Sequence, residues 1–299
     1  MQLGALFDRS LAQQPEACAV QTVAGEAATY AELDARIAVL AEALGAAGIG
    51  SGHRVGIQVP KSIASLACVL AVLRVGAAYV PVDAMILQDC AVAAVLADEA
   101  RAPQLLTSLG EAQAEFVAHA SLPDGVRLLV SPTPSDERTP ELAYILYTSG
   151  STGRPKGVTI THANALAFVD WCASAFDVGP DDVFSSHAPF HFDLSILDLY
   201  LCLHAGGTLV LIDEATGKQP RALAPLIAER GITVWYSTPS ILSLLVQHGR
   251  LERHDASALR YVLFAGEVFP VRHLRALSEV WSGPRYANLY GPTETNVCT

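Results

Sequence analysis

Eleven consecutive residues, Tyr147-Thr-Ser-Gly-Ser-Thr-Gly-Arg-Pro-Lys-Gly157, hold three glycines, four small hydroxyl residues and one lysine. Glycines such as Gly150 and Gly153 let the backbone curl until several N–H groups point at one anion. Thr148, Ser149, Ser151 and Thr152 add hydroxyl donors, and Lys156 adds a mobile positive charge. That is the chemistry of holding a polyphosphate. The pattern is not a Walker A loop, which ends in Gly-Lys-Ser/Thr at the opening of a helix. Here Pro155 precedes Lys156, Gly157 follows it, and Val158-Thr-Ile-Thr continues as a strand.

A second cluster is Asn288-Leu-Tyr-Gly-Pro-Thr-Glu294. Tyr290 can stack on a flat ring, Thr293 can donate to a phosphate, and Glu294 can hold Mg²⁺, for which one carboxylate plus phosphate oxygens is ordinary coordination. Taken alone, the segment reads better as a turn capping a helix than as a ligand site. In a third segment, Phe192-Asp-Leu-Ser195, Asp193 precedes a helical run from Leu194 to Leu203 that stops at Gly206-Gly207. By itself Asp193 reads as the N-cap of that helix. None of the nine histidines sits in a metal-like pair, and His191, beside this segment, is a pocket wall at most.

These residues need a scaffold. Short β-rich runs alternate with helical segments: RVGIQVP (54–60), AAYVPVD (77–83), PQLLTS (103–108), VRLLVS (126–131) and LAYILYTS (142–149). A second series follows: DVFSSHAP, GTLVLID, ITVWYSTP, LRYVLFAGE and RYANLYGP, with helices at RALAPLIAER (221–230) and SILSLLVQHG (240–249). Apolar strands separated by helices predict an α/β fold of two doubly wound lobes, with largely parallel sheets covered by helices. Thr29-Tyr-Ala-Glu32 has capping-box spacing, and Leu33, Ile37, Leu40 and Leu44 then recur at helical intervals. The Pro-rich stretch at 131–141 is a surface loop. Residues 54–172 form the first lobe, with the phosphate loop. Residues 1–53 and 173–299 form the second, with the Asp193 and Glu294 segments. In such sheets ligands bind beyond the carboxyl ends of strands, which is where all three segments stand.

Composition narrows the partners. The 299 residues carry 19 Lys+Arg against 30 Asp+Glu, a net charge of −11, with no basic stripe to attract nucleic acid or an anionic membrane. The N-terminus shows no signal peptide. The longest apolar stretch, Ser62 to Val75, is broken by Arg74 and falls short of the roughly 20 residues that span a bilayer. It reads instead as a helix buried in the core. Six scattered cysteines without a CxxC pair argue against a disulfide scaffold or a zinc site. A soluble, cytoplasmic protein is the expectation.

The phosphate loop and the NLYGPTE segment together resemble the adenylate-forming superfamily, in particular its members that adenylate amino acids for carrier-protein loading. Thr29-Tyr-Ala-Glu-Leu33, Arg74-Val-Gly-Ala-Ala-Tyr-Val-Pro-Val-Asp83 and Phe192-Asp-Leu-Ser195 match weaker family motifs in the expected order, so the resemblance runs the length of the chain. It implies that Thr148, Ser149, Gly150, Ser151, Thr152, Gly153 and Lys156 surround the β- and γ-phosphates of ATP. Asn288, Tyr290 and the backbone at Gly266-Glu267 flank adenine. Thr293 touches the α-phosphate and Glu294 ligates Mg²⁺, giving Lys156, Thr293 and Glu294 the catalytic roles.

The same resemblance gives Asp193 a second role, pairing with the substrate's α-ammonium group; an unpaired buried charge is very costly. Counted from the motifs, the other pocket positions are Leu194, Leu197, Tyr236, Leu263, Ala265, Leu289, Val297 and Cys298. Apart from Asp193 nothing there is charged, which suits a compact apolar side chain. The set resembles that of prolyl-AMP ligases, which load proline onto a phosphopantetheinyl carrier protein in secondary metabolism, often toward antibiotics. Cys298 is a soft apolar contact rather than a nucleophile. The family's later ribose-binding Asp, hinge and small C-terminal domain with its lysine have no counterpart in these residues. Two alternatives stand beside this reading: a ligase of the superfamily for another acid, and a non-catalytic binding or assembly domain.

Overall fold

A computed structural model of the chain describes residues 1–82, 84–109, 117–131, 138–148 and 155–297. The chain opens with helix α1 (Ala5–Gln13), strands β1 (Cys18–Thr22) and β2 (Ala27–Thr29), and helix α2 (Tyr30–Ala46). It divides into two units, Met1–Asp8 with Ala31–Ala167, and Arg9–Tyr30 with Phe168–Thr299. Residues 31–53 therefore group with the first unit, where the sequence suggested the second. The reason is α2. Leu33, Ile37, Leu40 and Leu44 are buried along it. Its Asp34 pairs with Arg74 at 2.6 Å, and its Arg36 pairs with Asp124 at 3.1 Å.

The first unit continues with β3 (Arg54–Gln58), α3 (Ile63–Arg74), β4 (Ala78–Pro81), α4 (Ala84–Asp89), β5 (Ala94–Asp98), α5 (Ala102–Leu109), β6 (Val117–Leu122), β7 (Val126–Val130), β8 (Leu142–Thr148) and β9 (Lys156–Thr161). Its sheet runs β6-β7-β5-β3-β4-β8-β9. The pairs from β5 through β3 and β4 to β8 are parallel, while β7, β6 and β9 join antiparallel at the edges. The sheet is thus mixed rather than largely parallel. Helix α3 is buried from Ile63 to Leu73, as its all-round hydrophobicity predicts, and a reciprocal Ser62–Ser65 capping box starts it.

PQLLTS (103–108), expected to be a strand, lies instead within α5. Asp98 accepts a hydrogen bond from the Arg101 backbone just before this helix, and Pro103 falls in the first turn, where its missing N–H costs nothing. The strand that the sheet uses nearby is β5, whose short Ala-rich sequence carries little β signal.

The second unit adds α6 (His162–Ala175), which spans the division, then β10 (Val183–Ser186), α7 (Leu194–Ala205), β11 (Thr208–Leu211), α8 (Glu214–Gly217), α9 (Pro220–Glu229), β12 (Val234–Ser237), α10 (Pro239–His248), β13 (Tyr261–Phe264), α11 (Val271–Val280) and β14 (Arg285–Asn288). Its sheet runs β14-β13-β12-β10-β11-β1-β2, parallel throughout except for the β1–β2 pair. Every residue of β12 and of β13 is buried, so both faces are covered. Alternation assigns the faces. Trp235, Val262 and Phe264 pack with Leu226, Leu242 and Leu277 from α9, α10 and α11. Tyr236 and Leu263 point to the other face, where α7 lies against β10, β11 and β12. Helix α7 ends as expected at Gly206, whose φ of 75° is left-handed and suits glycine.

At the N-terminal ends of these strands Asp182, with its side chain 3% exposed, is held by Arg260 at 2.6 and 2.7 Å. The Thr233 hydroxyl donates to it at 2.6 Å and the Gly179 N–H at 2.9 Å. This network ties β10, β12 and β13 together at the end of the sheet opposite the candidate site.

Candidate active site

In the first unit the phosphate-loop segment joins two antiparallel strands. Thr148 and Lys156 are directly opposed in the β8–β9 ladder and stand at the two stems of the loop. Ser149, Gly150, Ser151, Thr152 and Gly153 lie outside the described residues. Lys156 is exposed, its chain free to reach an anion. Gly157 has a packing role: it is the register partner of Tyr147, and a Cβ on it would lie 3.0 Å from Tyr147 Cζ. The Tyr147 hydroxyl donates to Asp89 at 2.7 Å, which pins the ring over the glycine. Burial, reinforced by Asp89, pushes the phenol pKa up, so Tyr147 stays a neutral donor.

In the second unit Asp193 precedes α7 but makes no capping bond to it. The turn is closed instead by Ser195, whose hydroxyl donates to the Phe192 carbonyl at 2.7 Å. The Asp193 carboxylate accepts at Oδ2 from the Thr293 hydroxyl at 2.7 Å, and has no other hydrogen bond or ion pair to a described residue. The N-cap reading of Asp193 is thereby excluded. This contact brings the FDLS segment against the 3-10 turn Thr293–Thr295, a hundred residues later in the chain.

The pocket positions fall where the α7 face of the sheet meets its carboxyl end. Leu194 and Leu197 are one helical turn apart on α7, and both are buried. Tyr236 and Leu263 are register partners across β12 and β13, and Leu263 pairs in turn with Ala287 on β14. Ala265 and Leu289 continue β13 and β14 at a spacing of two, with the Leu289 N–H donating to the Phe264 carbonyl at 2.9 Å. Ala265, Leu289 and Val297 are all buried. Cys298 lies outside the described residues. His191 is exposed, with its ring centroid 4.9 Å from that of Phe192.

The positions expected to meet adenine are exposed and adjacent. Asn288 is the register partner of Phe264, the last pair of the β13–β14 ladder, so Gly266-Glu267 and Tyr290 follow directly from the ends of adjacent strands. Tyr290 is 80% exposed. The Ser240 hydroxyl, at the start of α10, bonds to the Glu267 carboxylate. Sequence reading missed Ser240, although a hydroxyl just inside a Thr-Pro helix start was a usable signal. It also missed the Thr293–Asp193 bond, which no spacing rule joins. Glu294 is exposed beside Thr293, without a hydrogen bond or ion pair to a described residue. Among the described residues no group of three or more carboxylate, His or Cys side chains forms a metal cage. A lone, open carboxylate nevertheless suits Mg²⁺, which keeps its waters and takes its other ligands from phosphate.

The pattern that emerges is an α/β sheet in which antiparallel β8 and β9 flank the Ser/Thr/Gly-rich segment in one unit. In the other, the Asp193–Thr293 contact and a set of buried apolar side chains lie on the α7 side of the sheet, with Tyr290 exposed after its edge strand. The family model for AMP-binding enzymes matches residues 7–299, and the chain belongs to that family. Over 97% of its length it is 42% identical to an L-proline--[L-prolyl-carrier protein] ligase of Pseudomonas fluorescens, covering 61% of that protein. Over 93% it is 41% identical to a ligase of the same name from Streptomyces coelicolor, covering 57%. The crystal structure of IdnL7 matches with a TM-score of 0.80 at 32% identity, over 98% of this chain and 61% of that one. The chain thus spans about three-fifths of the length of these relatives. No helix among the described residues is long and apolar enough to cross a membrane.

Proposed function

We propose that this chain is the nucleotide- and amino-acid-binding part of a ligase that activates an amino acid, L-proline above all, with ATP. A carboxylate oxygen of the amino acid attacks the α-phosphorus, the bond to the β-phosphate bridging oxygen breaks, and aminoacyl-AMP and pyrophosphate form. No general base is required, because the carboxylate is already ionised at neutral pH. Catalysis then consists of positioning and of charge placed where charge develops. Asp193 holds the ammonium group, and the apolar positions from Leu194 to Val297 hold the ring. Thr148 and Lys156, with the loop between them, take the β- and γ-phosphates, and Lys156 offsets the charge of departing pyrophosphate. Tyr290 and Asn288 take adenine, and Thr293 donates to the α-phosphate. Glu294 ligates Mg²⁺, which when bound neutralises phosphate charge. A second step passes the acyl group to the phosphopantetheine thiol of a carrier protein.

One observation carries this reading: the Asp193 carboxylate is held by a residue of the nucleotide segment, not by its own helix. A carboxylate so placed is spare for a cation next to where a phosphate is expected. The relatives named as prolyl-carrier protein ligases support the choice of proline. The test is ATP–pyrophosphate exchange by the full-length protein that carries this chain, across a panel of amino acids and their des-amino analogues. Exchange dependent on L-proline is expected. Exchange with another amino acid moves the substrate and keeps the mechanism. Exchange with des-amino acids removes the role of Asp193, and silence from a folded, ATP-binding protein replaces the ligase with a binding domain.

A further inference from the structure

We infer that Thr293 is a switched donor that couples the amino-acid subsite to the nucleotide subsite; the inference rests on the adenylation reading above. A hydroxyl carries a single proton to donate. In the structure that proton is given to Asp193 Oδ2, at 2.7 Å. A phosphate oxygen can only accept, so Thr293 cannot serve Asp193 and the α-phosphate at once. One of the two acceptors must release it.

The amino acid's ammonium group decides which. Asp193 Oδ1 has no hydrogen bond to a described residue, and the residue is only partly buried. Once an ammonium pairs with the carboxylate, the negative charge that made Asp193 the stronger acceptor is neutralised, and its hold on the hydroxyl weakens. Thr293 is then released to a phosphate oxygen that still carries its charge. Linkage makes the effect reciprocal. Nucleotide that draws the hydroxyl away leaves a partly buried carboxylate in want of a partner, and so raises its affinity for the ammonium. Each ligand tightens the other through one proton. ATP without its amino acid is held short of its full set of contacts, which disfavours unproductive hydrolysis.

The test is calorimetric titration of the full-length protein with Mg²⁺ and α,β-methylene-ATP, which cannot release pyrophosphate, with and without L-proline. Each ligand should tighten the other by about 5-fold or more. Thr293→Val should abolish the mutual tightening while both ligands still bind, and Thr293→Ser should restore it. A measurement on the unaltered protein guards against a folding defect in the variant: cyclopentanecarboxylate, which fills the ring space without an ammonium, should leave the affinity for the ATP analogue unchanged. Tightening that survives in Thr293→Val, or that cyclopentanecarboxylate reproduces, overturns the switch and leaves the adenylation reading standing. Binding of the analogue with no L-proline binding at all overturns the proline reading together with the switch.

Discussion

The Thr293 hydroxyl donates to Asp193 Oδ2 at 2.7 Å, joining two segments a hundred residues apart. Asp193 sits at the start of α7, which packs on one face of the sheet, and Thr293 in the turn after β14, at the sheet's edge. The bond therefore ties the start of α7 to the turn that follows the edge strand β14.

Removing the charge from Asp193 while keeping its shape separates its two partners. Asp193→Asn retains an oxygen for the Thr293 hydroxyl but loses the pairing with an ammonium. Truncating one side of such a pair costs about 3 kcal/mol, or about two orders of magnitude in kcat/KM for the amino acid. Pyrophosphate exchange at varied L-proline should show this loss, while ATP in the absence of amino acid should bind more tightly, because the neutral side chain holds the Thr293 hydroxyl less firmly.

A side chain at Gly157 should be destabilising. With Tyr147 held by Asp89 at 2.7 Å, a Cβ 3.0 Å from Tyr147 Cζ and 3.1 Å from Ile145 Cγ2 forces these side chains to give by a few tenths of an ångström. Gly157→Ala is expected to cost about 1–2 kcal/mol in urea unfolding. Adding Tyr147→Ala should recover part of that cost, giving a non-additive cycle.

The Asp182–Arg260 network makes a separate prediction about stability alone. Asp182 is buried and Arg260 partly exposed, so Asp182→Ala strands the guanidinium less severely than a fully buried pair would. A loss of about 2–3 kcal/mol in chemical denaturation follows. Because the network lies at the opposite end of the strands, the KM values for ATP and amino acid should not move.

Much of this arrangement could be read from the residues, for identifiable reasons. In the second unit β10 to β14 all fall inside the β-rich runs read from sequence. Helix α3 declared itself by being apolar on every side. In the first unit PQLLTS misled because Leu105 and Leu106 carry a strand-like look, while the helix depends on Asp98 and on the tolerance of a first-turn proline. Strands β5 and β6 were missed since alanine-rich sequences do not signal a pleated surface. At the site, residue types announced the loop and the NLYGPTE segment. What sequence could not supply is who bonds to whom. Asp193 before a helix is by frequency a cap, and only the chain's return at Thr293 shows otherwise.

Acid sensitivity should have one identifiable source in the first unit. His162 Nδ1 accepts from the Leu3 N–H at 3.1 Å, so the folded protein needs the ring neutral. Burial holds its pKa below 6.5. The unfolded chain takes up a proton near pH 6.5 that the folded chain resists, so the unfolded state binds more protons as pH falls. This contribution to stability is complete above pH 6.5 and is lost progressively below it. His204, also lowered, chiefly by burial and further by Arg9, acts in the same direction. Thermal unfolding midpoints should be flat above neutrality and fall on acidification, with a shallower fall in His162→Gln.

The central claim is that an amino-acid carboxylate attacks the α-phosphorus of ATP at this site. It is tested most directly by following an atom. The full-length protein is given ATP and L-proline labelled with heavy oxygen in its carboxylate, and the activated acid is trapped with hydroxylamine. Attack on the α-phosphorus leaves one of the proline's oxygens on phosphorus, so the AMP recovered should carry a single heavy oxygen, and Asp193→Ala should yield almost none. Unlabelled AMP, or ADP in its place, would contradict the account.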